Sequence, residues 1–200
     1  MSEPKPLFRK YHQEIWNELA THLDETGEKW DGTKVTVKHG PFMVSLDLHA
    51  ELAGYASRLV TRLRAAYINK DGFRFRLRRS TWLSDLAVML GTQDIKIGDE
   101  AFDEAFVISS NNEEKTRFLL ADADLRGALM NSPTDLVEVR DDEGEFGPVF
   151  PEEVDELYLH SRRRITVCSE LEQLYSVFAG MLNRLCHAGS AYEDDPHLTL

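Results

Sequence analysis

From Phe42 to Leu77 apolar and polar residues alternate with a period of two, and that rhythm constrains the fold more than any other feature. Phe42, Val44, Leu46, Leu48 and Ala50 alternate with Met43, Ser45, Asp47, His49 and Glu51. After Gly54, Leu59, Thr61, Leu63, Ala65 and Tyr67 alternate with Arg58, Val60, Arg62 and Arg64. Phe73, Phe75 and Leu77 then alternate with Arg74, Arg76 and Arg78. Successive side chains of a strand point to opposite faces, so each segment reads as a strand with one apolar face. Val35 and Val37 begin the pattern, and His39-Gly40-Pro41 marks a turn before Phe42. Asn69-Lys70-Asp71-Gly72 is a hairpin signal, its glycine suited to positive φ. Four consecutive antiparallel strands are expected. The last two would pair so that Arg64 faces Arg76 and Arg62 faces Arg78.

Helical spacing flanks this block. Leu7, Phe8, Tyr11, Ile15, Trp16, Leu19 and Leu23 form one stripe, and Leu171, Leu174, Tyr175, Phe178, Met181, Leu182 and Leu185 form another. Ser169 with Glu172, and Ser110 with Glu113, match the capping-box pattern at helix starts. Asp122 suits a further cap, and Pro133 ends the short helix that follows it. A short helix is one reading of Trp82 to Leu90 and a strand the other, while Phe106 to Ile108 suits a short strand. Leu136 to Arg140 and Gly147 to Phe150 flank the acidic turn 141–145 as a hairpin, and Glu156 to Val167 reads as another strand. The expected fold is one α+β domain over residues 1–200, with loose tails at 1–5 and 190–200. It is an antiparallel sheet of about six to eight strands with long N- and C-terminal helices packed on its apolar face, leaving the arginine face wet.

The arginines are the feature most suggestive of function. Arg58, Arg62, Arg64, Arg74, Arg76 and Arg78 all fall opposite the apolar face. Like charges across a ladder destabilise it, so something must compensate. Asp47 and Glu51 on the preceding strand can pair with Arg62 and Arg58. The protein's own carboxylates are the simpler compensation; an acidic protein surface or a small anionic ligand is the alternative, because the planar guanidinium fork matches carboxylate and phosphate. Nucleic acid is a poor fit: 23 basic against 35 acidic residues give a net charge of −12, which repels polyanions.

Other candidates have structural explanations. Asp99, Glu100 and Asp103 belong to a dense acidic turn that could supply acid/base groups, but its spacing is not that of a calcium loop. Phe102 and Phe106 read as core anchors beside it. His12 and His22 lack the HExxH spacing, and Cys186 and His187, adjacent on a helix, point apart. No metal site or cofactor is expected. Cys168 and Cys186 form no disulfide framework, and no apolar run approaches the roughly 20 residues needed to cross a bilayer, so a cytoplasmic location is expected.

The segment Ile97-Gly98-Asp99-Glu100-Ala101-Phe102-Asp103-Glu104-Ala105-Phe106-Val107-Ile108, followed by a helix ending in Leu119-Leu120, resembles a bacterial domain family of unknown function. Its members are often membrane-tethered, and some are labelled galanin-like. The resemblance implies a bacterial origin and an architectural turn at 99–103, and transfers no catalytic residue. The leading expectation is a non-enzymatic binding or adaptor module that uses the arginine face. The alternatives are a hydrolase-like enzyme using acidic residues 99–103 on an anionic substrate, and a homo-oligomeric structural protein, in the simplest case a homodimer.

Overall fold

The computed structural model describes residues 34–53, 56–80, 94–142, 149–165, 167–192, 194–198 and 200. The expectations for the N-terminal helix, with His12 and His22, and for Trp82 to Leu90 lie outside these residues. Among the described residues the chain forms one seven-stranded antiparallel sheet and four helices, an α+β fold. The strands are β1 (Lys34–His39), β2 (Phe42–Ala53), β3 (Ala56–Ile68), β4 (Phe75–Arg79), β5 (Phe106–Ser110), β6 (Leu136–Arg140) and β7 (Val154–Ser161). The helices are α1 (Glu100–Ala105), α2 (Glu113–Leu119), α3 (Ala123–Asn131) and α4 (Cys168–His187).

The alternating segments form strands as their period demands, but the sheet is not a simple meander. Its order is β1-β2-β3-β7-β6-β4-β5. β1 to β3 do run as a meander; the turn at Asn69–Gly72 then carries the chain away from β3, with Gly72 at φ 64. β4 joins β6 and β5 instead, and β7 fills the place beside β3. Arg64 therefore stands opposite Tyr158, and Arg76 opposite Glu138 and Ser109. The expected arginine–arginine pairs do not form. Exchanging like for unlike charge across the ladder is the physical reason to prefer this order.

The apolar face carries the core. Leu46, Leu63, Leu77, Leu157 and Leu159 of the sheet cluster with Leu174, Phe178, Met181 and Leu185 of α4. α4 begins at Cys168 after Val167, with no side-chain cap bond, rather than on a Ser169–Glu172 box. Asn112, not Ser110, caps α2 by accepting from the Lys115 N–H, whereas Asp122 caps α3 as expected. At the other end of α3, the Arg79 guanidinium donates to the carbonyls of Leu129, Ser132 and Thr134. It takes the place of the hydrogen bonds a helix C-terminus leaves unmade.

Gly189, at φ 69, ends α4. The segment expected as a loose tail instead returns across the sheet. Ser190 and Ala191 are buried, Tyr192 bridges to Ile68, and Leu198 and Leu200 pack against a small cluster of Ala66, Phe150 and Val154. Lys115 and Ser190 both bond the Asp71 carboxylate, which joins the β3–β4 turn, α2 and this segment.

Candidate functional site

The second face of the sheet is expected to be wet. At its centre it is buried. Ser45, Asp47, Arg64, Glu138, Glu156, Tyr158 and His160 all lie out of solvent. β7 is buried along its whole length, and Glu156, Tyr158 and His160 point into this layer. Buried charge must be paired, and here it is. Arg62 grips Asp47 through Nε and Nη2 at 2.6 and 2.8 Å. Arg64 donates to Glu156 at 2.9 Å, and Arg140 donates to the other oxygen of the same carboxylate at 2.6 Å. Glu138 links Arg140, at 3.7 Å, to Arg76, whose Nε lies 2.5 Å away. An alternating chain of Arg64, Glu156, Arg140, Glu138 and Arg76 thus crosses four neighbouring strands. The Arg140 guanidinium also lies 3.8 Å over the Tyr158 ring, whose hydroxyl meets His160 Nδ1 at 3.2 Å.

Electrostatics follow from this burial. Loss of water pushes the Glu156 carboxyl above its ordinary value, with Arg140 and Arg64 pulling against it. Burial would lower Arg62, but the bidentate hydrogen bond and charge of Asp47 outweigh it and raise the guanidinium. Arg74 is raised chiefly by its hydrogen bonds to Asp155, with Asp141 adding to the effect.

The six arginines do not share one environment. Arg62 and Arg64 are committed to internal carboxylates. Arg58 lies opposite Glu51, and Arg78 opposite Leu136 and Val107; both are half-buried. Arg74 and Arg76 keep 42% and 52% of their side chains exposed. They border a cleft of about 670 Å³ that opens where the β4–β6 ladder ends at Arg76 and Glu138. Beyond that pair the strands diverge, so the cleft takes residues from both faces. Its polar wall includes Arg74, Arg76, Arg140 and Ser109, with Glu138 and Asp141; its floor is the core margin at Phe75, Ile95 and Val139.

Arg74 is saturated there, with Nε and Nη2 on Asp155 and Nη1 on Asp141 at 2.7 Å. Arg76 is not. Only its Nε is engaged, and both terminal nitrogens lie without a hydrogen-bond partner among the described residues.

The acidic turn is elsewhere. Asp103 accepts the backbone N–H groups of Ile97 and Gly98, and Asp99 caps α1 through the Phe102 N–H and pairs with Arg126 at 3.0 Å. Glu100 is an exposed first-turn residue of α1. None of the three lines the cleft. Among the described residues no group of His, Cys, Asp and Glu could hold a metal ion, and no helix is long and apolar enough to cross a membrane.

Sequence reasoning missed Glu138, Arg140, Asp155, Glu156 and Ser109. The signal for the three acids was present: Glu138 on β6 and Asp155 and Glu156 on β7 are opposite in sign to the arginines of β3 and β4. Only the strand order, which is not local, brings the two sets together. Comparison with known proteins finds no matching family model, no similar curated protein and no similar solved structure.

Proposed function

We propose that this protein is a non-enzymatic binding module that captures an anionic group in the β4–β6 cleft, with Arg76 as its anchor. The observation that carries the reading is the open guanidinium edge of Arg76 above a cleft of ligand size. The guanidinium end of its tie to Glu138 is half-exposed although the carboxylate is buried, and the tie engages Nε alone, so that among the described residues the two terminal nitrogens face no other acceptor and can meet a carboxylate or phosphate. Arg62, Arg64 and Arg74 serve as scaffold, because their charges are spent on Asp47, Glu156, Asp155 and Asp141.

An enzymatic role for residues 99–103 draws less support. Both oxygens of Asp103 already accept backbone N–H groups, and Asp99 is divided between a cap and an ion pair. Neither is positioned to shuttle a proton.

The test is binding to a panel of anions across a salt series: acidic peptide, inorganic phosphate and simple carboxylates. Wild type is compared with Arg76→Gln and, separately, Arg74→Gln. Salt-sensitive binding that disappears in Arg76→Gln supports the reading. Binding that ignores Arg76, or no binding to any of them, ends it.

A further inference from the structure

The cleft's chemistry narrows the anion. Resting on the binding-module reading, we infer that its ligand bears a single carboxylate on an apolar body, supplied by a small organic acid or by the C-terminal end of a chain.

Three observations converge on that class. The first is the donor set. Arg76 and Ser109 are direct cross-strand partners on β4 and β5, so their side chains stand side by side on one face. The Ser109 hydroxyl has no hydrogen-bond partner among the described residues, and neither terminal nitrogen of Arg76 has one. A planar fork with a hydroxyl beside it matches the two oxygens of a carboxylate.

The second is the charge balance. Arg74 and Arg140 line the cleft but are bound to Asp155, Asp141, Glu156 and Glu138. Glu138, Asp141 and Glu113 line it as well. Three cations and three anions line the cleft, Asp155 and Glu156 add two carboxylates behind it, and among the described residues only the outer edge of Arg76 is left to offer. A ligand with one negative charge completes that edge. A phosphate dianion or a polyacidic segment would bring further negative charge against three fixed carboxylates.

The third is the floor. Phe75, Ile95 and Val139 are core residues that also line the cleft, each at most 6% exposed, so its apolar side is a narrow margin of the core. Water over such a floor is readily displaced by an apolar group. Acetate would meet the arginine but leave the floor wet, whereas a phenyl or branched alkyl body would cover it.

Isothermal titration of the intact chain with phenylpropionate tests the inference. Phenylpropanamide and acetate serve as controls for the charge and for the apolar body, each expected to bind at least about tenfold more weakly. Arg76→Gln should weaken phenylpropionate by about tenfold or more, and Ser109→Ala by roughly threefold. Thermal unfolding of both variants checks that they are folded. An acetylated Leu-Phe dipeptide with a free C-terminus, beside its amide, separates the two sources. Tighter binding of the free-acid peptide assigns the carboxylate to a chain end, and binding of phenylpropionate alone assigns it to a small acid. If inorganic phosphate or an end-blocked polyglutamate peptide binds through Arg76 and phenylpropionate does not, the ligand class is wrong while the binding module stands. If no anion binds in an Arg76-dependent way, both fail.

Discussion

At the scale of single residues, the six arginines show how one residue type in one pattern can hold different roles. Arg64 and Arg76 both alternate with apolar neighbours, yet Arg64 is 6% exposed and Arg76 52%. Replacing Arg64 by glutamine leaves Glu156, which is fully buried, with half its compensation. The expected loss is about 3 kcal/mol of stability, because breaking a buried pair strands a charge. Arg76→Gln should cost less, about 1–2 kcal/mol, because its guanidinium is half-exposed and Arg140 still faces the buried Glu138, while removing anion binding. Urea unfolding of the two variants checks this contrast, and similar losses in both would refute the division. Residue-level chemistry was half legible in advance. Asp47 sits opposite Arg62 because adjacent strands of a meander pair locally, and that contact follows from the sequence. The partner of Arg64 lies 92 residues away, and no local pattern identifies it.

Elements extend the same lesson. The period-two face, the α4 stripe and the Asp122 cap are readable because each depends on neighbours a few residues apart. The helix starts at Asn112 and Val167 were misplaced by a few residues, since several adjacent polar residues can satisfy the same cap. No sequence pattern marks Arg79, as its contacts are with carbonyls rather than with charges. Arg79→Gln should cost about 1–3 kcal/mol and fray the end of α3, because three buried carbonyls lose a donor. Amide exchange at Leu129 and Met130 would report that fraying, and unchanged protection there would argue against the role. Asp71 yields a prediction with a defined sign. Burial alone would raise it, but the Lys115 ammonium, the Phe73 N–H and the Ser190 hydroxyl together hold it below 3.8. A depressed carboxyl stabilises the fold fully above its unfolded value and ceases to do so as pH falls through its folded value. Asp71→Asn should thus be less stable than wild type at neutral pH, with the difference closing at pH values well under 3.8. Denaturant midpoints measured across that range provide the check; a gap that persists in acid would contradict it.

For the whole molecule, the sheet is organised around β7. All eight of its residues are buried, with core leucines on one face and the ion-pair chain on the other. The amides of Leu157 and Leu159 should exchange last, by unfolding of the entire domain, and protection at β1 should be lower. Exchange of β7 amides ahead of β2 would show a different centre of stability. The architecture could be named from the sequence as an antiparallel α+β sheet, but its strand order could not. Hydrophobic period identifies faces, whereas order is decided by which distant edges meet.

That order has a consequence for the chain as it is synthesised. β3 is finished at Ile68, and its neighbour β7 begins at Val154. Throughout the interval the growing polypeptide carries a thirteen-residue strand with an open edge and an arginine whose carboxylate has not yet been made. Such an edge can recruit other chains. Arg62 and Arg58 already face Asp47 and Glu51 of β2, so Arg64 is the charge left to repel an identical nascent strand laid beside it, as edge charges do in sheets that resist self-association. The same guanidinium that later locks into Glu156 would thereby oppose self-association of the half-made sheet until its proper neighbour emerges.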